Sequence, residues 1–188
     1  MKQEFYDVVA SNPIIAAVKD DEGLEKCLKS AELSVVFVLY GEVSTIGGIV
    51  EKIKAAGKMA VVHMDLVAGL SSKTEAVDFI SVYTKADGII STRIEQVRHA
   101  KELGLSTIYR IFLLDSKVLD KFGTKIGESA DIVEILPGLM PKMIAKLSKE
   151  LRVPIIAGGL ISDKEDVMAA LKAGAIAISS TNESVWEM

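Results

Sequence analysis

Two hydrophobic periods take turns along this chain. Short aliphatic or β-branched runs occupy residues 13–18, 35–40, 59–65, 88–91, 106–112, 131–136, 154–157 and 175–179, their starts about 23 residues apart. That spacing is close to one strand plus one helix. Between the runs, apolar residues recur at helical intervals: Leu24, Cys27, Leu28 and Ala31; Ile46, Ile49, Val50 and Ile53; Ala76, Phe79, Ile80 and Tyr83; Ile144, Leu147 and Leu151. Each set predicts a helix with one buried face. Gly57, Gly104 and Gly174 stand just before strand runs, where a helix end calls for a left-handed residue. Ser162 with Glu165 three residues on reads as a capping box for the helix after the seventh run.

Strand runs without polar alternation are covered on both faces, which implies parallel pairing with helical crossovers. Eight such units predict an α/β fold, a TIM-type (β/α)8 barrel, formed by residues 1–188 as a single domain. The alternative is an open doubly wound sheet, which the count of eight disfavours. Barrels of this type usually need roughly 200 residues or more, and only residues 183–188 follow the eighth run. The expected barrel is therefore compact, its last helix shortened or missing. Trp186 or a neighbouring subunit would cover the flank of strands one, seven and eight, which makes a homo-oligomer the expected assembly.

Composition narrows the class. With 49% hydrophobic and 26% charged residues in 188, apolar burial is sufficient for one core and disorder is excluded. One cysteine, Cys27, rules out a disulfide framework, and no CxxC or His-rich tract offers a zinc cage. The aliphatic runs are far too short to span a bilayer, and no signal peptide is visible, so a reduced, cytoplasmic protein is expected. The net charge of −4 argues against nucleic-acid binding by bulk electrostatics.

In such barrels chemistry gathers where strands end and loops to helices begin. The most informative segments are Ile155-Ile156-Ala157-Gly158-Gly159-Leu160 and Ala175-Ile176-Ala177-Ile178-Ser179-Ser180. Loops after strands seven and eight often hold a phosphate, because glycines let backbone amides approach an anion. Gly158, Gly159, Ser179 and Ser180 are thus candidate phosphate contacts, although the two glycines would also serve a tight turn. Asp65 and Glu134 are carboxylates placed to act as general base, metal ligand or hydroxyl acceptor. No further ligands assemble by spacing, so no metal is expected. His63 lies two residues before Asp65, hence on the same side of a strand, and reads chiefly as a hydrogen-bonded interior histidine. Arg110 interrupts an aliphatic strand, where an unpaired charge is costly. It calls for an acid such as Glu134, or for an anionic ligand. Gly138 completes the set of candidate ligand contacts. Lys142, Lys146 and Lys149, with Arg152 just beyond, form a basic stripe opposite the apolar face of the sixth helix. It reads as a solvated face first and a nucleic-acid contact second.

Several segments in order resemble one family. They are Asn12-Pro13-Ile14-Ile15, Val61-Val62-His63-Met64-Asp65-Leu66, Gly69-Leu70-Ser71 and Asp87-Gly88-Ile89-Ile90-Ser91-Thr92-Arg93. Phe112-Leu113-Leu114-Asp115-Ser116, Glu134-Ile135-Leu136-Pro137-Gly138, residues 154–161 and Trp186 extend the set. Together they resemble the glycerol-3-phosphate-responsive antiterminators, regulators of glycerol uptake operons. Glu42 departs from an expected Asp, and Ser179-Ser180-Thr181 permutes a more usual Ser-Thr-Ser. The resemblance implies a TIM-type barrel that binds glycerol 3-phosphate as effector, needs no other cofactor, and acts on leader mRNA. Under it, Gly158, Gly159, Ser179 and Ser180 hold phosphate and Asp65 and Glu134 accept the glycerol hydroxyls, with loop 66–73 among the moving parts. The alternative is a triose- or pentose-phosphate enzyme with Asp65 or Glu134 as general base.

Overall fold

The computed structural model describes residues 3–114 and 129–188, so Asp115 and Ser116 of the family-like segment lie outside the described residues. Eight parallel strands close into a barrel in chain order: β1 Ile14–Val18, β2 Val35–Val38, β3 Met59–His63, β4 Gly88–Ser91, β5 Ser106–Phe112, β6 Ile132–Leu136, β7 Ile155–Gly158 and β8 Ala177–Ser180. The closing pair sets Ile15 beside Ser179 and Ala16 beside Ser180. The open sheet is thereby excluded. Gly57, Gly104 and Gly174 have φ of +74°, +79° and +107°, as the turn into a following strand requires.

Strand alternation sorts the core into an inside and an outside. Ile15, Phe37, Val61, Ile90, Ile108, Ile132, Ile156 and Ala177 form the interior packing, while Ala16, Val36, Val62, Ile89, Ala157 and Ile178 face the helices. Those helices are α2 Asp21–Lys29, α3 Ile46–Ala55, α4 Glu75–Tyr83, α5 Ile94–Glu102, α6 Pro141–Glu150 and α7 Lys164–Lys172. A further helix, α1 Gln3–Ser11, precedes the barrel. Its Phe5 and Val9 join the interior cluster and close the amino end. This plug was missed in the sequence, although Phe5, Val8 and Val9 carry the helical spacing.

The last helix is shortened rather than missing. α8 is one turn, Glu183–Trp186. Trp186 is buried there, and its indole Nε1 donates to Ser180 O at 2.7 Å, which covers the flank beside β1 and β8 within one chain.

Three local expectations need correction. α7 is capped by Asp163, whose carboxylate accepts from Asp166 N at 2.9 Å, and not by Ser162. Asp163 captures that amide because its short carboxylate sits at the residue where extended backbone gives way to helix; Asp166 in turn accepts from the Ser162 amide and hydroxyl. Ala31 lies beyond the end of α2 and is exposed. Tyr83 is 72% exposed, because α4 ends on it and its ring turns out against Phe79, 5.2 Å between centroids.

Candidate functional site

Toward the carboxyl end, the inward positions of the barrel change character. Where the layers below hold Ile and Val, this one holds His63, Arg110, Glu134 and Ser179. Buried charge must be paired to persist. Arg110 Nε donates to Glu134 Oε2 at 2.6 Å, and Ser179 Oγ donates to Glu134 Oε1 at 2.5 Å. The acid partner anticipated for Arg110 is therefore Glu134, itself fully buried.

Glycine keeps this layer open. A β-carbon on Gly158 would lie 2.5 Å from Ser179 Oγ and 2.6 Å from Glu134 Oε1, so no larger residue fits without displacing the carboxylate. One on Gly138 would meet Ile161 Cδ1 at 2.7 Å. Gly138 thus serves the packing behind the wall, its amide donating to Gly159 O at 3.1 Å.

Above the polar layer lies a cavity of about 330 Å³, lined by Ala17, Leu39, Arg110, Glu134, Leu136 and residues of the β7 and β8 loops, from Gly159 to Ser162 and from Ser179 to Asn182. Arg110, Glu134, Gly159, Ser179 and Ser180 of the sequence-derived set meet there. Both serine hydroxyls are already engaged: Ser179 with Glu134, and Ser180 with Ile161 O at 3.0 Å. Main-chain donors remain for a ligand. Among the described residues, the N–H groups of Gly159, Leu160 and Thr181 make no hydrogen bond. Gly159 has φ +74°, and Leu160 holds φ +63° with its side chain 73% exposed at the lip. A branched residue in left-handed backbone is strained, and such strain concentrates at ligand sites. Leu160 and Thr181 stand in segments that the sequence singles out but were not among the candidate contacts, and nothing local marks Asn182.

Asp65 sits apart from this cavity. β3 ends at His63, and Asp65 belongs to a 3-10 turn, Met64–Leu66, so the two do not share a strand face. The turn nonetheless brings Asp65 Oδ2 to 3.7 Å from His63 Nδ1. The Asp65 carboxylate pairs with Arg93 and accepts from Thr92 N at 2.8 Å, which fastens the β4–α5 loop to the end of β3. Gln96, held by Ser91 Oγ at 2.8 Å, donates to Lys73 O at 3.0 Å and so tethers loop 66–73. His63 is 3% exposed; burial, then the Arg110 charge, lowers its pKa to about 3, so the ring is neutral.

Lys142, Lys146, Lys149 and Arg152 are all exposed on or just after α6, and among the described residues their one ion pair is a loose Lys146–Glu150 contact at 3.9 Å. Among the described residues, no three His, Cys, Asp or Glu side chains gather as metal ligands would, and no helix is long and apolar enough to cross a membrane.

Likeness to known proteins bears on this geometry. The chain is 42% identical over 182 residues to the uncharacterized protein YgcP of Escherichia coli (strain K12), covering 96% of this chain and 95% of that one. The crystal structure of a glycerol uptake operon antiterminator regulatory protein from Listeria monocytogenes superposes with a TM-score of 0.88 at 35% identity, covering 93% and 94% of the two chains. An antiterminator-related protein from Thermotoga maritima superposes with a TM-score of 0.82 at 31% identity, covering 94% and 99%. Orotidine 5'-phosphate decarboxylase from Pyrococcus horikoshii, 18% identical over 93% of this chain and 96% of that one, shares the barrel fold alone, with a TM-score of 0.67. The profile of one family spans residues 14–186, nearly every element that builds the barrel and its rim, and the chain belongs to that family, the glycerol-3-phosphate responsive antiterminators.

Proposed function

We propose that the protein senses glycerol 3-phosphate and, with it bound, acts on the leader mRNA of a glycerol-catabolic operon to prevent premature termination. The observation that carries this reading is the cavity at the β7 and β8 loops. It offers unengaged N–H groups of Gly159, Leu160 and Thr181 beside the guanidinium of Arg110, a donor set suited to a phosphate dianion. Ser179 and Ser180 would contribute through their backbone, and Gly158 by leaving room. Family membership supplies the effector and the kind of regulation.

To switch anything, the ligand must favour the RNA-competent form over the other; equal affinity for both would shift nothing. RNA would meet the exposed stripe of Lys142, Lys146, Lys149 and Arg152, doubled in a homo-oligomer, and its retention would weaken with salt. Such a regulator works in the cytoplasm, where transcripts are made. The buried carboxylates favour sensing over acid–base catalysis. Both Glu134 oxygens are taken by Arg110 and Ser179, and Asp65 is committed to Arg93 and Thr92.

Thermal unfolding with and without glycerol 3-phosphate tests the sensor. Ligand at a hundred times its Kd adds about 2.7 kcal/mol, expected to raise the midpoint by roughly 5–10 °C for a chain of this size. An unchanged midpoint contradicts the reading. RNA retained equally with and without the ligand contradicts the gating, and turnover of glycerol 3-phosphate contradicts the regulatory assignment.

A further inference from the structure

A seat for an anion needs N–H groups facing it and carbonyl oxygens facing elsewhere, since a partial negative charge aimed at an anion repels it. A loop carries both groups on nearly every residue, so something must hold the oxygens away. At the β7 and β8 loops three side chains near the end of the chain do so. The Ser180 hydroxyl donates to Ile161 O at 3.0 Å, and Asn182 Nδ2 donates to Ser162 O at 3.1 Å, so the β8 loop takes two carbonyls of the β7 loop. Trp186 Nε1 donates to Ser180 O at 2.7 Å. All three acceptors belong to residues of the cavity wall.

The bond from Trp186 bears most directly on the seat. A trans peptide unit is flat, and its C=O and N–H point in opposite directions. Ser180 O and Thr181 N belong to one such unit, which is trans. The indole holds the carbonyl end and thereby aims the other end, the Thr181 N–H, which has no partner among the described residues. The ring itself is not in the cavity wall. It is buried, and it lies against α2, where a β-carbon on Gly23 would come 3.8 Å from its Cη2. Its base is fixed as well. Lys26 of α2 pairs with Glu183 at 3.0 Å, Asn182 Oδ1 accepts from Ser184 N at 3.1 Å, and Val185 is fully buried. A buried indole N–H needs some acceptor; the one it has here is the carbonyl whose peptide partner faces the cavity.

We propose that Trp186 is a positioning residue of the phosphate seat, setting the Thr181 amide toward the anion through Ser180 O and so coupling ligand occupancy to the docking of α8 on α2. The inference rests on the phosphate seat described above and adds a residue outside the cavity that shapes it. Coupling between two such events is reciprocal. If the indole bond favours the binding form of the peptide, the ligand favours the indole bond by the same factor.

The test uses the full-length protein with glycerol 3-phosphate as the probe. Calorimetry well below the unfolding temperature compares wild type with Trp186→Phe, which keeps an aromatic ring and loses the N–H, and with Val9→Ala, which loosens the amino-end plug. Trp186→Phe should weaken binding by about tenfold, the scale of a lost hydrogen bond to a charged group, while Val9→Ala leaves it within about twofold. A Trp186 that serves structure alone would lower stability in both variants and affinity in neither; that result overturns the proposal and leaves the seat standing. The second measurement needs no variant. The chain has one tryptophan, so its indole N–H gives a single resonance in a proton–nitrogen correlation spectrum. Saturation with the ligand should slow exchange of that proton with solvent by about tenfold beyond any slowing at the Val9 amide. Slowing no greater than at Val9 overturns the proposal, and this result decides the matter where Trp186→Phe fails to fold. If wild type does not bind the probe, the phosphate seat falls and the inference falls with it.

Discussion

At the amino end of the barrel, Phe5 and Val9 of α1 fill the opening and pack on Ile15, Val35, Phe37 and Ile108, with little polar material inside. Around that rim, Lys54 pairs with Asp87 at 2.7 Å and Lys58 donates to Ser30 O and Leu33 O at 2.6 Å, so its charges serve the chain itself. At the carboxyl end the same inward positions carry Arg110, Glu134, Ser179 and His63, and a cavity remains. The strands are continuous from one end to the other; only the chemistry of the inward residue changes. One end spends its side chains on closure, the other on a polar floor that satisfies most of itself and leaves His63 and three loop amides over. The difference confines the ligand response to one end of the barrel axis, so the amino end can be broken without touching it.

Two substitutions should have the largest effects and differ in kind. Phe5→Ala should destabilise by about 3–5 kcal/mol in denaturant titration while leaving the stabilisation by glycerol 3-phosphate intact. Glu134→Leu should cost a similar ~3–5 kcal/mol, because it leaves Arg110 buried without its partner, but it should also abolish ligand-induced stabilisation. Matching effects of the two variants on ligand response would refute the separation. Next in size is Gly158→Ala. Its β-carbon presses on Ser179 Oγ and Glu134 Oε1, so a loss of about 1–3 kcal/mol is expected together with weakened ligand binding.

A smaller effect follows from His63. Its native pKa of about 3 lies below the ordinary histidine value, so between roughly pH 6.5 and 3 the unfolded chain holds the extra proton. Stability should therefore fall on acidification through that window, by at most about 1.4 kcal/mol per pH unit from this group. The Asp65 carboxylate and the Arg110 charge lie near the ring, so the difference in slope between wild type and His63→Phe isolates its share. Equal slopes would contradict a buried neutral ring. The smallest structural effect belongs to the exposed stripe. Neutralising Lys142, Lys146, Lys149 and Arg152 together should move stability by only a few tenths of a kcal/mol per site yet reduce RNA retention and its dependence on salt. Unchanged retention would place the RNA elsewhere.

How much of this was legible beforehand divides along the same axis. Continuous apolar runs at a steady period specify buried parallel strands, and Gly57, Gly104 and Gly174 mark the turns, because both signals are local. The need of Arg110 for an acid or an anion followed from the cost of a lone charge in a strand, and folding supplies Glu134. Other features depend on what folding brings together. α1 carries helical spacing, but nothing local says it plugs a barrel. Asp65 looks available in the sequence and is claimed by Arg93, more than two dozen residues away. Ser179 and Ser180 suggest hydroxyl contacts to phosphate, whereas folding directs both hydroxyls to protein acceptors and leaves the amides for the ligand. His63 shows the converse. It reads as an ordinary interior histidine, and only the three-dimensional arrangement reveals that its Nδ1 is buried without a hydrogen-bond partner.

The central claim, that the open end is a seat for a phosphorylated polyol, is tested most directly by a crystal structure grown with glycerol 3-phosphate. The account predicts phosphate oxygens within hydrogen-bonding distance of the Gly159 and Thr181 amides. Clear density for the compound at any other place, with the β7 and β8 loops unengaged, would contradict it.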